Sequence, residues 1–99
     1  VWQSFDDPHS RRVAVELVTT SVTSGGDGSD SKPEIVAVLP ENPHIRYFSN
    51  RRGYLRVNLT PELLRADFRT LPYVSRPGAP VNTGASFLVL DGQPALLQV

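Results

Sequence analysis

Residues 42–80 read NPHIRYFSNRRGYLRVNLTPELLRADFRTLPYVSRPGAP, and the middle of this string decides the fold. In residues 54–60, Leu55, Val57 and Leu59 face one way while Tyr54, Arg56, Asn58 and Thr60 face the other. In residues 63–71, Leu64, Ala66 and Phe68 oppose Arg65, Asp67 and Arg69. Alternation with a period of two is what a strand with unlike faces requires. With Thr60-Pro61-Glu62 as the turn, the stretch predicts an antiparallel hairpin with one apolar and one wet face. Residues 42–51 before it read as a loop, and residues 72–84 after it as an extended, Pro- and Gly-rich connector.

Working outward, residues 13–22 (VAVELVTTSV) are rich in β-branched side chains. They predict a strand buried on both faces or nearly so, in which Glu16 either points to the solvent side of the sheet, the favoured reading, or is buried and paired. The glycine-rich residues 24–30 have neither a Lys-Ser/Thr pair nor a helix starting directly after them, so they form no phosphate-binding loop and read as a flexible linker. Ser31-Lys32-Pro33-Glu34 has the form of a capping box with proline in the first turn. Ile35, Val36 and Leu39 supply an apolar stripe before Pro40, which predicts a short helix of roughly two turns. Near the end, residues 86–90 and 95–99 flank Asp91-Gly92, the dipeptide of a type I′ hairpin turn. The expected fold is mainly β with one short helix: roughly five or six strands in one sheet or in part of a two-layer β arrangement.

The 99 residues fit one domain at most. Ten basic and ten acidic side chains cancel, which argues against a general nucleic-acid or polyanion binder. The absence of cysteine excludes disulfides and thiolate metal sites. No apolar run reaches the ~18 residues of a membrane-spanning helix. The start, Val1-Trp2-Gln3-Ser4, has no signal-peptide character, and methionine is absent even from position 1, so an internal or C-terminal piece of a longer protein is expected.

Candidates for chemistry are few. His9, in Asp7-Pro8-His9, reads as a solvated turn residue. His44 opens onto an arginine cluster and reads either as a loop residue capping carbonyls or as a functional group. Arg46, Arg51, Arg52 and Arg56 occur in a stretch with no acid, residues 42–61. Guanidinium forks suit phosphate oxygens, while a solvated or salt-bridged face explains the same letters. No catalytic constellation is visible, so the chain taken alone is not an enzyme.

The ordered set of motifs resembles the C-terminal part of the PhoD-type alkaline phosphatases, a branch of the calcineurin-like metallophosphoesterases. Members carry a strand and loop similar to E-F-V-T-T-S-I-T-S-G-G-D-G, matched here by residues 16–28. A short helix follows, then N-P-H-I-K-Y (residues 42–47), N-x-R-G-Y (50–54) and a T-P-E turn (60–62). A tail of the R-x-V-P-Y-V-S-R-P-G-A-P type (69–80) and a closing S-F-V-V-x-x-G hairpin (86–92) complete the set. Leu64 stands where relatives often carry tryptophan.

The resemblance implies a secreted or periplasmic (cell-wall) hydrolase of phosphate monoesters and diesters, exported by the twin-arginine route. It implies iron and calcium as cofactors and a β-sandwich flanked by helices (αββα). Its ligand motifs lie upstream of the matched segment, and Asp7-Pro8-His9 lacks the glycine of the family's histidine motif. No metal ligand and no catalytic residue is therefore carried over, and residues 1–99 are expected to be the C-terminal part of one metallophosphatase domain. Asn42, His44, Arg51 and Arg52 match family positions and are expected near the active-site rim, close to the phosphate ester. The expected partner is the upstream half of the same protein, with no nucleic acid. The rival readings are a free-standing β-rich module that binds an anion through Arg46, Arg51, Arg52 and Arg56, and a purely structural β-domain.

Overall fold

The computed structural model describes residues 1–23, 25–30 and 32–99. Four strands, β1 (Arg52–Leu59), β2 (Leu63–Leu71), β3 (Asn82–Leu90) and β4 (Leu97–Gln98), form one antiparallel sheet in chain order. The first hairpin has the register that the alternation predicts. Leu55 lies opposite Phe68, Val57 opposite Ala66 and Leu59 opposite Leu64. On β3 the apolar row continues, with Ala85, Phe87 and Val89 beside Phe68, Ala66 and Leu64.

The core sits on this face, around the buried Ala66, Ala85 and Phe87. Tyr47, from the loop before β1, lies across it with its ring centroid 5.1 Å from Phe68 and 6.2 Å from Phe87. Phe68 and Phe87 meet edge to face at 6.1 Å; such aromatic pairs each contribute about 0.5–1.5 kcal/mol beyond their buried area. The β2–β3 register shifts between Phe68 and Arg69, leaving Gly84 unpaired. A Cβ at Gly84 would come within 2.5 Å of the Tyr47 hydroxyl, so the missing side chain is what lets the tyrosine lie down on the sheet.

Before the sheet lie helix α1 (Pro33–Val38) and a 3₁₀ turn at Leu39–Glu41. The helix exists as expected but buries no residue, and Val36 of its stripe is exposed. Pro40 sits in the first turn of the 3₁₀ segment rather than ending the element. Ser31, the first residue of the expected capping box, lies outside the described residues.

Three expectations are corrected. Residues 13–22 run without strand pairing, and Val18 is 70% exposed rather than buried. β-Propensity suits the side chains to a ladder but cannot supply the neighbour. Among the described residues, no peptide N–H of residues 14–20 donates to another backbone group. The sheet accordingly has four strands, not five or six. β3 begins at Asn82, inside the expected connector, because Asn82 and Thr83 find Thr70 and Arg69 opposite them. Finally, the turn after β3 is not type I′. Gly92 has φ +72°, but among the described residues no non-glycine residue has a positive φ. Closure by Gln93 N–H on the Leu90 carbonyl at 3.0 Å, with positive φ only at the third residue, fits a type II turn.

Candidate functional site

Residues 25–30 are held in place rather than acting as a flexible linker. The Asp27 Oδ1 accepts the backbone N–H groups of Val74 at 2.7 Å and Ser75 at 2.9 Å, and Oδ2 accepts the Ser75 hydroxyl at 3.1 Å. The Val74 N–H, followed by that of Ser75, holds the Asp27 carboxyl below its ordinary pKa. The glycines around it supply the backbone: Gly25, Gly26 and Gly28 have φ of +78°, +77° and +73°. At Gly28 the absent side chain also matters, because a Cβ there would collide with the Asn50 carbonyl and press on Cα of Arg51 at 3.1 Å.

That close approach joins the loop to the residues before β1. Asn50 N–H donates to the Ser29 carbonyl at 2.9 Å, and Thr20 Oγ1 donates to the Arg51 carbonyl at 2.6 Å. Arg51 forks onto Asp30, Nε to Oδ1 at 2.7 Å and Nη2 to Oδ2 at 3.2 Å, and this hydrogen bonding lowers the Asp30 pKa. Beyond Asp27, Arg76 stacks over the Tyr73 ring, 4.0 Å from its centroid. Three strings far apart in the sequence, residues 20–23 with 25–30, 50–53 and 73–76, therefore meet in one knot.

Beside the knot is a cavity of about 560 Å³. It lies between the unpaired residues 14–20, the loop of residues 43–51 and the apolar sheet face at Phe68 and Phe87. His44 and Arg51 line it, whereas Asn42 and Arg52 do not. Asn42 instead donates through Nδ2 to the Val38 carbonyl at 2.9 Å, closing the end of α1. Arg52 donates to the carbonyl and side-chain oxygens of Asn50 at 2.8 and 3.2 Å. The His44 ring packs at an angle against Trp2, centroids 5.3 Å apart, and Phe5, 5.9 Å apart. His9 is exposed, its N–H on Asp7 Oδ1 at 2.9 Å, which makes it the turn residue expected.

The arginine-rich stretch does not form one surface. Arg51 is committed to Asp30, Arg52 to Asn50 and Arg56 to Asp67, while Arg46 is exposed in the loop. Asp67 is the functional-looking residue that the alternation hid. It belongs to the wet face by parity, yet it is only 1% exposed. Its Oδ1 accepts Ser86 Oγ at 2.6 Å and Arg65 Nε at 3.1 Å; its Oδ2 accepts Arg56 Nη2 at 3.0 Å and Nε at 3.2 Å. The Ser86 bond, then those of the arginines, push its pKa down to about 2. The available signal was the register, which sets Arg56 and Ser86 on either side of Asp67, with Arg65 one same-face position away.

Among the described residues, no three His, Cys, Asp or Glu side chains converge as metal ligands would. The donors present do not fit a metal centre of iron and calcium. Among the described residues, no helix is long and apolar enough to cross a membrane.

Comparison with known proteins identifies the pattern. The model of the PhoD-like phosphatase family matches residues 1–68. Alkaline phosphatase D of Bacillus subtilis (strain 168) is 42% identical over 95 residues, covering 96% of this chain and 16% of that protein. A solved structure of PhoD superposes with a TM-score of 0.75 at 44% identity, covering 82% of this chain and 16% of the other. The chain thus spans about one sixth of the length of the relatives it matches.

Proposed function

Because the chain belongs to the PhoD-like phosphatase family, we propose that it works as the C-terminal portion of a metal-dependent phosphatase of the alkaline phosphatase D type. The whole enzyme hydrolyses phosphate monoesters or diesters. Its metals, iron and calcium on the family pattern, are held by residues outside this chain, and the enzyme acts outside the cytoplasm after export. The chain alone does not turn over substrate.

One observation carries this reading. Residues 14–20, rich in β-branched side chains, lack ladder partners and stand across a cavity from the apolar face of the sheet. An unpaired run facing an apolar sheet face across a gap supports the β-sandwich reading, in which this run joins a second layer. In the whole enzyme, strands from elsewhere in the protein pair with this run and their side chains fill the space above Phe68 and Phe87. His44 and Arg51, which line that space, and Asn42 and Arg52 next to them stand near the rim of the active site. The knot around Asp27 fixes the loop that carries them. No observation favours the module that binds an anion through Arg46, Arg51, Arg52 and Arg56 together, since Arg51, Arg52 and Arg56 turn to three different partners and the four do not form one surface.

The test is a chimera. Deleting the matching segment from the Bacillus subtilis alkaline phosphatase D should abolish hydrolysis of a chromogenic phosphate ester, and this chain in its place should restore it. The 99-residue chain by itself, with iron and calcium added, should show none. A deletion as active as the parent would end the proposal, and so would turnover by the isolated chain.

A further inference from the structure

The second face of the sheet carries an arrangement that the phosphatase reading does not use. Asp67, on the central strand β2, is buried, but the side chains of the two arginines that grip it are 51% (Arg56) and 47% (Arg65) exposed. Each binds a different carboxylate oxygen, so Asp67 fixes both guanidinium planes at once. Ser86 completes the clasp from β3 on the side away from Arg56.

The remaining N–H groups of the two guanidinium forks are not taken up by any described residue. Two positive charges against one carboxylate leave a net +1, and the same-face neighbours Tyr54, Asn58 and Leu88 add no acid. A surface ion pair made only for stability gains little from such an arrangement. A pair of arginines whose rotamers are fixed beforehand loses less side-chain entropy when it takes a further anion.

We propose that Arg56 and Arg65, oriented by the buried Asp67, form a binding site for an oxyanion that accepts two guanidinium forks. The ligand chemistry is a phosphoryl or carboxylate group. Arg56 and Arg65 contact the ligand, and Asp67 and Ser86 are positioning residues. The proposal does not rest on the enzymatic reading, since no residue of the cavity or of the Asp27 knot takes part.

The test is a titration of the 99-residue chain with inorganic phosphate and, separately, with acetate at constant ionic strength, followed by the arginine side-chain NMR signals. Saturable shifts confined to Arg56 and Arg65 are expected. Stronger binding of phosphate assigns the site to phosphoryl groups, and equal or stronger binding of acetate assigns it to carboxylates. Arg56→Lys and Arg65→Lys keep the charge but lose the fork, and each should weaken binding roughly tenfold. Arg46→Gln, in the exposed loop, should change nothing.

Asp67→Asn separates geometry from charge. It makes the face more positive, so a purely electrostatic patch would bind more tightly, whereas the site proposed here loses its orientation and binds more weakly. Ser86→Ala gives the milder version of the same result if the asparagine variant fails to fold. Saturation at neither ligand, lysine variants as good as the parent, or tighter binding by Asp67→Asn or Ser86→Ala would each overturn the proposal.

Discussion

Replacing Gly28 by alanine should cost clearly more stability than the same change at Gly26, and the difference measures the closeness of two backbone segments. Both glycines have nearly the same left-handed φ, +73° and +77°. An alanine held there pays about 1–2 kcal/mol of steric cost, offset by about 0.4–1 kcal/mol from the stiffer unfolded chain. Nothing lies within 4 Å of a Cβ at Gly26, so the loss there should be about 1 kcal/mol. At Gly28 the Cβ collides with the Asn50 backbone, which cannot swing aside like a side-chain tip. Overpacking of this kind costs about 1–3 kcal/mol more. The Asn50–Ser29 hydrogen bond, about 0.5–1.5 kcal/mol, breaks if the loop lifts away to relieve it. The total at Gly28 is about 2–4 kcal/mol. Urea unfolding of both variants, followed by far-ultraviolet circular dichroism, reads the difference as a shift in midpoint. Equal losses at the two positions would refute the close approach of residues 28 and 50.

Three further outcomes are expected. Phe87→Ala removes the largest apolar side chain of the buried core and should lower unfolding stability by about 3–5 kcal/mol in the same assay. The Asp67 carboxyl, at about 2, should titrate by NMR well below the unfolded-state value of about 3.9. Its folded pKa is depressed, so its stabilising contribution is whole above about pH 4 and fades as the pH falls toward about 2; Ser86→Ala should move the titration upward. His44→Ala takes away an aromatic neighbour of the only tryptophan, so the Trp2 emission should shift to longer wavelength while the circular dichroism of the sheet stays unchanged.

The parts of the fold that sequence alone makes legible are those built from neighbours. The register of β1 on β2 follows from a turn and two alternating runs, all within twenty residues of chain. The same alternation misleads at Asp67. Parity assigns a face but not a degree of burial, and the long side chains of Arg56 and Arg65 are what cover the carboxylate. Residues 13–22 mislead in the opposite sense: their composition specifies a strand, but a ladder needs a partner that the sequence of the run does not contain. The tie from Asp27 to Val74 and Ser75 crosses 47 and 48 positions. Nothing local distinguishes that aspartate from one in a solvated glycine loop. Of the four residues expected at the rim, His44 and Arg51 come to the cavity together, whereas Asn42 and Arg52 turn to local partners, a choice of rotamer that letters do not record.

The span of the Asp27 tie also orders events in time. The β1–β2 hairpin closes over a few residues and can form as soon as its strands leave the ribosome, but the aspartate must wait until Val74 and Ser75 have been synthesised. Until then the glycine segment is a long, open tether, and a protease that finds it cuts an immature chain in preference to a mature one. Completion of this single carboxylate contact thus marks a molecule in which residues 25–30 have docked onto residues 74 and 75.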